Sequence, residues 1–361
     1  MTNHHPLIHL DASQGEGGGQ VLRTSLALSM VTGRPILLDK IRARRPKPGL
    51  LRQHLTCVAA AQAISGAQVE GATLGSPTLR FTPGPVRGGE HQFSVGTAGS
   101  VMLVLQTVWP ALLLADAPTR LTLQGGTHNP MAPSFHFVER AYAPLVRRLG
   151  SAAELRLRRC GFYPGGGGEV EVELHPAGAE GLQPFDLIER GALLDQQPEC
   201  LIPGLKRSIA ERELEVLREQ LGWAFDHTAI PVTRQNEGPG NALLATLRHA
   251  HVTEVFCSLG EKSRNAEAVA KDVARQVKHY LGSTAALGTY LADQWVLPLA
   301  LAVWRSGRAA RYTCTDVSLH AATNFRTIEQ FLPVRIETHA LPEEQGMQVT
   351  VTGIPTGDNA P

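Results

Sequence analysis

Three places in this chain combine residue types and spacing that suit phosphate chemistry. The first is Gln14-Gly-Glu-Gly-Gly-Gly-Gln20. Backbone N–H groups in a glycine loop that opens a helix attract anions. The loop fails two common templates. No Gly-Lys-Ser/Thr follows, so it is not a P-loop, and Gln20 stands where a dinucleotide-binding loop needs glycine. Glu16 would compete with a phosphate, which makes more sense if its carboxylate holds a divalent metal that bridges to phosphates. A tight turn with a solvated Glu16 fits the same residues. Gln20 and Arg23 lie three apart, on one face of the helix that follows. That helix, expected over residues 21–31, is nearly all apolar. Arg23 therefore needs a buried partner, and a ligand phosphate would serve.

The second place is residues 40–54, which carry Lys40, Arg42, Arg44, Arg45, Lys47 and Arg52 and no acidic residue. Pro46, Pro48 and Gly49 stiffen it as a loop. It is the best candidate for a polyphosphate or an RNA backbone, with a solvated basic loop as the plain alternative. Arg147, Arg148, Arg156, Arg158 and Arg159 make a weaker cluster spread over a helix end and a strand. The third place is Tyr290, Asp293 and Gln294, at i, i+3 and i+4 of a helix expected over residues 285–304. An aromatic beside a carboxylate and an amide suits a base that is stacked and bonded at its edge. A core tyrosine with two surface polar residues gives the same pattern. The 14 histidines form no HExxH pair and there is no Gly-x-Ser-x-Gly elbow, which disfavours those hydrolase classes. His320 follows a strand-like segment, where a lone histidine is more often structural.

Small-residue loops feed helices repeatedly. Residues 96–100 precede a helix expected over 101–114, residues 125–130 precede one around 137–149, and residues 282–284 precede 285–304. Strand-like stretches lie at 6–11, 36–41, 78–82, 91–95, 155–159 and 169–174. The last alternates Glu with Val and Leu, as a half-buried strand does. The pattern reads as an α/β (α+β) chain of repeated helices on small mixed sheets. Residues 186–283 have fewer glycine loops and two charged amphipathic helices, expected at 209–221 and 269–281. They read as a smaller domain inserted into a catalytic domain made of 1–185 and 284–361.

At 361 residues the chain exceeds what one core usually supports. A net charge of +1 excludes a surface coated with basic residues, so any polyanion must be held by a local cluster. The 34 basic residues are 28 Arg and 6 Lys, which suits bidentate phosphate recognition and equally a GC-rich genome. Five cysteines with no CxxC pair fit a reducing, cytoplasmic setting. The first residues have no apolar signal-like run. The longest apolar stretch, 101–115, is too short for a bilayer, so no membrane role is expected.

Taken together, these residues resemble the signature of the RNA 3′-terminal phosphate cyclase family. The matching segments are Asp11-Ala-Ser-Gln-Gly-Glu-Gly-Gly-Gly-Gln20-Val-Leu-Arg23, Ile41-Arg-Ala-Arg-Arg-Pro-Lys-Pro-Gly-Leu50 with Arg52-Gln-His-Leu55, and Gly125-Gly-Thr with Ala132-Pro133. Gly161-Phe-Tyr-Pro-Gly-Gly-Gly167, Tyr290-Leu-Ala-Asp-Gln294 and the His320-x-x-Thr323-Asn324 box complete the set, in family order from about residue 7 to 340. The resemblance implies ATP-dependent conversion of an RNA 3′-terminal phosphate to a 2′,3′-cyclic phosphate, through a covalent histidine–AMP and an RNA-(3′)pp(5′)A intermediate. It implies His320 as the nucleophile, and a neutral imidazole nitrogen is nucleophilic near pH 7. It places Glu16 on Mg²⁺ or Mn²⁺. Gln20 lies with Arg23 on that face. Arg23, Arg42, Arg45, Gln53 and Gln106 map onto phosphate and ribose contacts. Tyr290 and Pro133 would sandwich the adenine, with Asp293 and Gln294 nearby.

The implied fold is repeated units of two helices on a four-stranded sheet, plus a smaller thioredoxin-like insert. The implied partners are ATP and RNA with a 3′-terminal phosphate; the oligomeric state stays open, a homodimer included. Two departures stand out: Arg44 where many members have glycine, and Ala321 where some carry a hydroxyl residue. Two alternatives remain, a non-catalytic ribosome-assembly relative of the same fold and, by architecture alone, an enolpyruvyl-type small-molecule transferase.

Overall fold

A computed structural model describes residues 6–15, 17–223, 230–342 and 345–355. A strand–helix–strand–helix–strand–strand unit occurs three times. The first unit is β1 (Ile8–Asp11), α1 (Gln20–Thr32), β2 (Ile36–Asp39), α2 (Arg52–Ser65), β3 (Gln68–Glu70) and β4 (Leu79–Thr82). Its sheet runs β1-β2-β4-β3, with β1 parallel to β2 and the other pairs antiparallel. The second unit is β5 (Gly89–Ser94), α3 (Val101–Leu112), β6 (Thr119–Gly125), a broken helix, β7 (Ala153–Arg159) and β8 (Gly168–Leu174). The broken helix comprises α4 (Phe135–Phe137), a π-helical turn (Val138–Tyr142) and α5 (Ala143–Arg148). Its sheet, β5-β6-β8-β7, repeats the same pairing.

The third unit is split. Its first strand position is taken by Leu187, bridged in parallel to Tyr312. The chain then leaves through β9 (Leu193–Leu201), α6 (Arg207–Leu221), β10 (Ala242–His249), β11 (Thr253–Leu259) and α7 (Ala266–Gly282). It returns with α8 (Thr289–Ser306), β12 (Ala310–Cys314), α9 (Leu319–Phe331), β13 (Val334–Ala340) and β14 (Met347–Gly353), in sheet order β12-β14-β13. The excursion's described strands form an antiparallel sheet, β11-β10-β9, with no parallel pair among them. β10 is apolar on both faces because both are covered: Leu243, Ala245 and Leu247 pack on α6 and α7, while Ala242 and Leu244 join the main core.

Helices of the three units pack on one another. Ten of the thirteen residues of α1 are buried, which explains its all-round apolar sequence. It packs on α2, α3 and α9, and α8 packs on α3 and α9. Gly33, at φ 69°, ends α1 in the left-handed conformation that glycine adopts freely.

Two expectations need correction. The helix expected from residue 285 starts at Thr289. Residues 285–288 are not helical; Leu287 instead bridges Cys314, because the backbone there pairs at the edge of the third sheet. Residues 52–54 are not loop but the first turn of α2. No helix among the described residues is long and apolar enough to cross a membrane.

Candidate active site

His320 sits in the first turn of α9. Ser318 caps that helix, its Oγ accepting from Ala321 N at 3.0 Å. The same hydroxyl donates to Asp293, with Oδ1 and Oδ2 each 2.9 Å away. The Asp293 carboxylate is 5% exposed and lies at the positive end of α9. His320 Nδ1 faces Asp293 Oδ2 at 3.5 Å and is buried without a hydrogen-bond partner among the described residues. α8 therefore supplies a carboxylate that orients a ring on α9. A second tie holds the same elements: Thr24 Oγ1 on α1 donates to Asn324 Oδ1 at 2.9 Å.

Six expected residues line one pocket: Gln20, Arg23, Gln106, Asp293, Gln294 and His320. Gln106 Nε2 donates to Gln294 Oε1, joining α3 to α8. These glutamines occupy equivalent places in two units, Gln106-x-Val108-x-Pro110 and Gln294-x-Val296-x-Pro298. Each proline lacks the N–H that would bond the glutamine's carbonyl one turn earlier. Gln20 is 6% exposed and its Oε1 is buried without a partner among the described residues. Burial lowers the pKa of the Arg23 guanidinium, and no carboxylate among the described residues pairs with it. A buried cation without a counter-charge is costly, so an anionic ligand in this pocket would be strongly favoured.

His54 is a site residue that the sequence reading did not single out. Its Nδ1 accepts from Leu51 N at 3.0 Å, which puts the ring proton on Nε2. Burial, then the neighbouring Arg23 and Arg42, hold its pKa down to about 3, so the ring stays neutral. A Cβ on Gly19 would lie 2.6 Å from His54 Nε2 and 2.7 Å from Arg23 Nη1. Glycine there lets both donors reach the loop. Its signals in the sequence are its place in the basic segment and in the Arg52-Gln-His-Leu55 match. Ser318 was equally illegible, since a helix cap does not announce which carboxylate its hydroxyl meets.

The other expected residues lie elsewhere. Arg42, at φ 54°, donates to the carbonyls of Lys47 and, at 3.2 Å, Gly49, and so stitches its own loop. Arg45 is half-buried in the same loop. Gln53 Oε1 accepts from Ser100 N at 3.0 Å, tying the first unit to the second. Tyr290 is 65% exposed and lines a second cavity, between α8 and the excursion. Pro133 lines neither cavity. Glu16 lies outside the described residues. Among the described residues no three His, Cys, Asp or Glu side chains gather to hold a metal.

A family model described as RNA 3′-terminal phosphate cyclase matches residues 14–338. The chain belongs to that family. Proteins named RNA 3′-terminal phosphate cyclase are similar to it across nearly their whole length. The Ralstonia nicotianae protein is 48% identical over 346 residues, 96% of this chain and 97% of that one. The Pseudomonas fluorescens protein is 48% identical over 333 residues, 92% and 95% of the two chains. The Salmonella enteritidis protein is 47% identical over 346 residues, 96% and 99%. A solved EPSP synthase from Acinetobacter baumannii aligns with 98% of this chain and 66% of its own at a TM-score of 0.31 and 14% identity, a level that carries no argument.

Proposed function

We propose that this protein uses ATP to convert an RNA 3′-terminal phosphate into a 2′,3′-cyclic phosphate, with His320 as a transient carrier of AMP. The observation that carries the reading is the His320–Asp293–Ser318 arrangement beside a pocket that holds Arg23, a half-buried arginine with no carboxylate partner among the described residues. Nδ1–H directed at Asp293 leaves the Nε2 lone pair free to attack. Nε2 bonds to the α-phosphorus of ATP, the bond to pyrophosphate breaks, and pyrophosphate leaves. The ring becomes cationic as that bond forms, and the Asp293 carboxylate stabilises it. An oxygen of the RNA 3′-phosphate then attacks the same phosphorus, and the P–N bond breaks to return a neutral ring. Last, the adjacent 2′-oxygen attacks the 3′-phosphorus, its proton is lost to a base or water, and AMP departs.

Arg23, the Gln20 amide and the neutral His54 Nε2–H are suited to the charge that collects on the phosphoryl oxygens. Arg42, Arg45, Gln53 and Gln106 extend the phosphate and ribose contacts, and Tyr290 and Pro133 hold the adenine, with Asp293 and Gln294 nearby. Mg²⁺ or Mn²⁺ fits this setting, because such ions are commonly held by one or two carboxylates together with substrate phosphates. Glu16 is the carboxylate for it, and the bound ion would neutralise phosphate charge. Residues 186–283 act as an inserted domain of the same molecule.

The test is to incubate the protein with ATP, divalent metal and RNA ending in a 3′-phosphate. The reading requires an end that resists phosphatase and yields to cyclic phosphodiesterase. A binding-only relative of this fold would leave the 3′-phosphate intact.

A further inference from the structure

Helix α8 borders two cavities. Asp293, Gln294 and Leu297 face the pocket with His320, and Thr289 and Tyr290, about one turn earlier, face a cavity of about 260 Å³. A nucleotide whose α-phosphorus reaches His320 can therefore extend its base along α8 into the second cavity. Phe137, Phe256 and Tyr290 supply its aromatic lining. One buried carboxyl interrupts that wall. Glu254, on β11, is 2% exposed. Its Oε1 accepts from Gly288 N at 2.6 Å, and its Oε2 makes no hydrogen bond among the described residues. The other charged groups on the wall already have partners: Arg275 meets Asp272 at 2.5 Å, and His279 meets Asp316 at 2.6 Å.

We propose that Glu254 reads the base edge of the nucleotide, its Oε2–H donating to the ring acceptor N1 of adenine. The inference rests on ATP as the substrate proposed above. Burial pushes the Glu254 pKa up to about 8, so the carboxyl carries a proton at neutral pH. Oε1 is engaged as an acceptor, which leaves the proton on Oε2. Adenine offers an acceptor at N1, whereas guanine carries a hydrogen there. A site built around one buried donor rejects a base that leaves the donor unpaired.

The experiment measures the rate of histidine–AMP formation from ATP and from 1-deaza-ATP, in which N1 is replaced by CH. Wild type should use the analogue about 10- to 100-fold more poorly, the scale of a buried polar group losing its partner. Glu254→Ala should lose a similar factor with ATP and no longer distinguish the two nucleotides. Glu254→Gln keeps an acceptor for Gly288 and a donor for N1, so it should retain both rate and discrimination. Equal use of both nucleotides by wild type, or discrimination that survives in Glu254→Ala, would overturn the proposal. If Glu254→Ala fails to fold, the wild-type and Glu254→Gln comparison decides. If wild type forms no adduct from ATP, the reaction proposed above fails. Calorimetric binding of ATP against 1-deaza-ATP then still decides the role of Glu254.

Discussion

Replacing Asp293 by asparagine removes one negative charge 3.5 Å from the His320 ring. It also removes the reason for the ring proton to sit on Nδ1, because an amide can face the ring with either its oxygen or its NH₂. At 3.5 Å a unit pair is worth about 5 kcal/mol with an effective dielectric near 20, and about 2 kcal/mol if screening is doubled or more. The ring is 33% exposed, so the effective value falls between these limits. At about 1.4 kcal/mol per tenfold, that is roughly a 10²- to 10³-fold slower attack on ATP. The loss should fall on the first step, where the ring becomes cationic. The assay is rapid-quench, single-turnover formation of the covalent adduct from α-labelled ATP. Thermal melts should show that Asp293→Asn folds. Ser318→Ala removes the hydroxyl bridge to Asp293 together with the α9 cap and leaves the Asp293 charge, so it should cost about 3- to 10-fold. An Asp293→Asn enzyme that forms adduct within threefold of wild type would refute the assignment of Asp293 as the residue that positions and balances the ring.

Other perturbations follow from the same geometry. Arg23→Met removes a half-buried cation that has no carboxylate partner among the described residues, so the melting temperature should hold or rise while adduct formation falls by 10²-fold or more; a fall in stability would show that Arg23 is paired in the free protein. Gly19→Ala places a methyl against His54 Nε2 and Arg23 Nη1, and nucleotide affinity should drop with little change in thermal stability, as read by calorimetry and melts. Burial holds the His54 pKa near 3 against an ordinary value of 6.5. The unfolded chain therefore takes up a proton that the folded chain refuses. Stability from this residue is full above about pH 6.5 and is lost as pH falls towards 3. Urea melts between pH 4 and 7 should show a shallower acid loss in His54→Gln than in wild type.

Much of the site was legible because the chemistry-bearing residues lie in short, ordered motifs. Gln20, Arg23 and the Asp293–Gln294 pair sit on expected helices that do converge, while His320, read only as following a strand-like segment, joins them from the first turn of α9. What those residues do to one another was not legible. That Asp293 faces His320 and Ser318 shows only in the packed structure, since contacts between α8 and α9 are set by packing and not by spacing along the chain. The repeat showed as glycine loops feeding helices. Its third copy was hidden, because the excursion separates Leu187 from the sheet that it joins. Residues 285–288 misled through composition: a small apolar run reads as helix, but sheet pairing claims it first. Glu254 was invisible as a candidate, being a single acid on a strand whose burial only the packed structure reveals.

The proposed reaction depends on passage of AMP through His320. The most direct measurement is peptide mapping of protein incubated with α-labelled ATP and divalent metal in the absence of RNA. One label is expected on the peptide containing His320, labile in acid and stable in alkali, and absent from His320→Ala. Label on another residue, or undiminished label in His320→Ala, would contradict it.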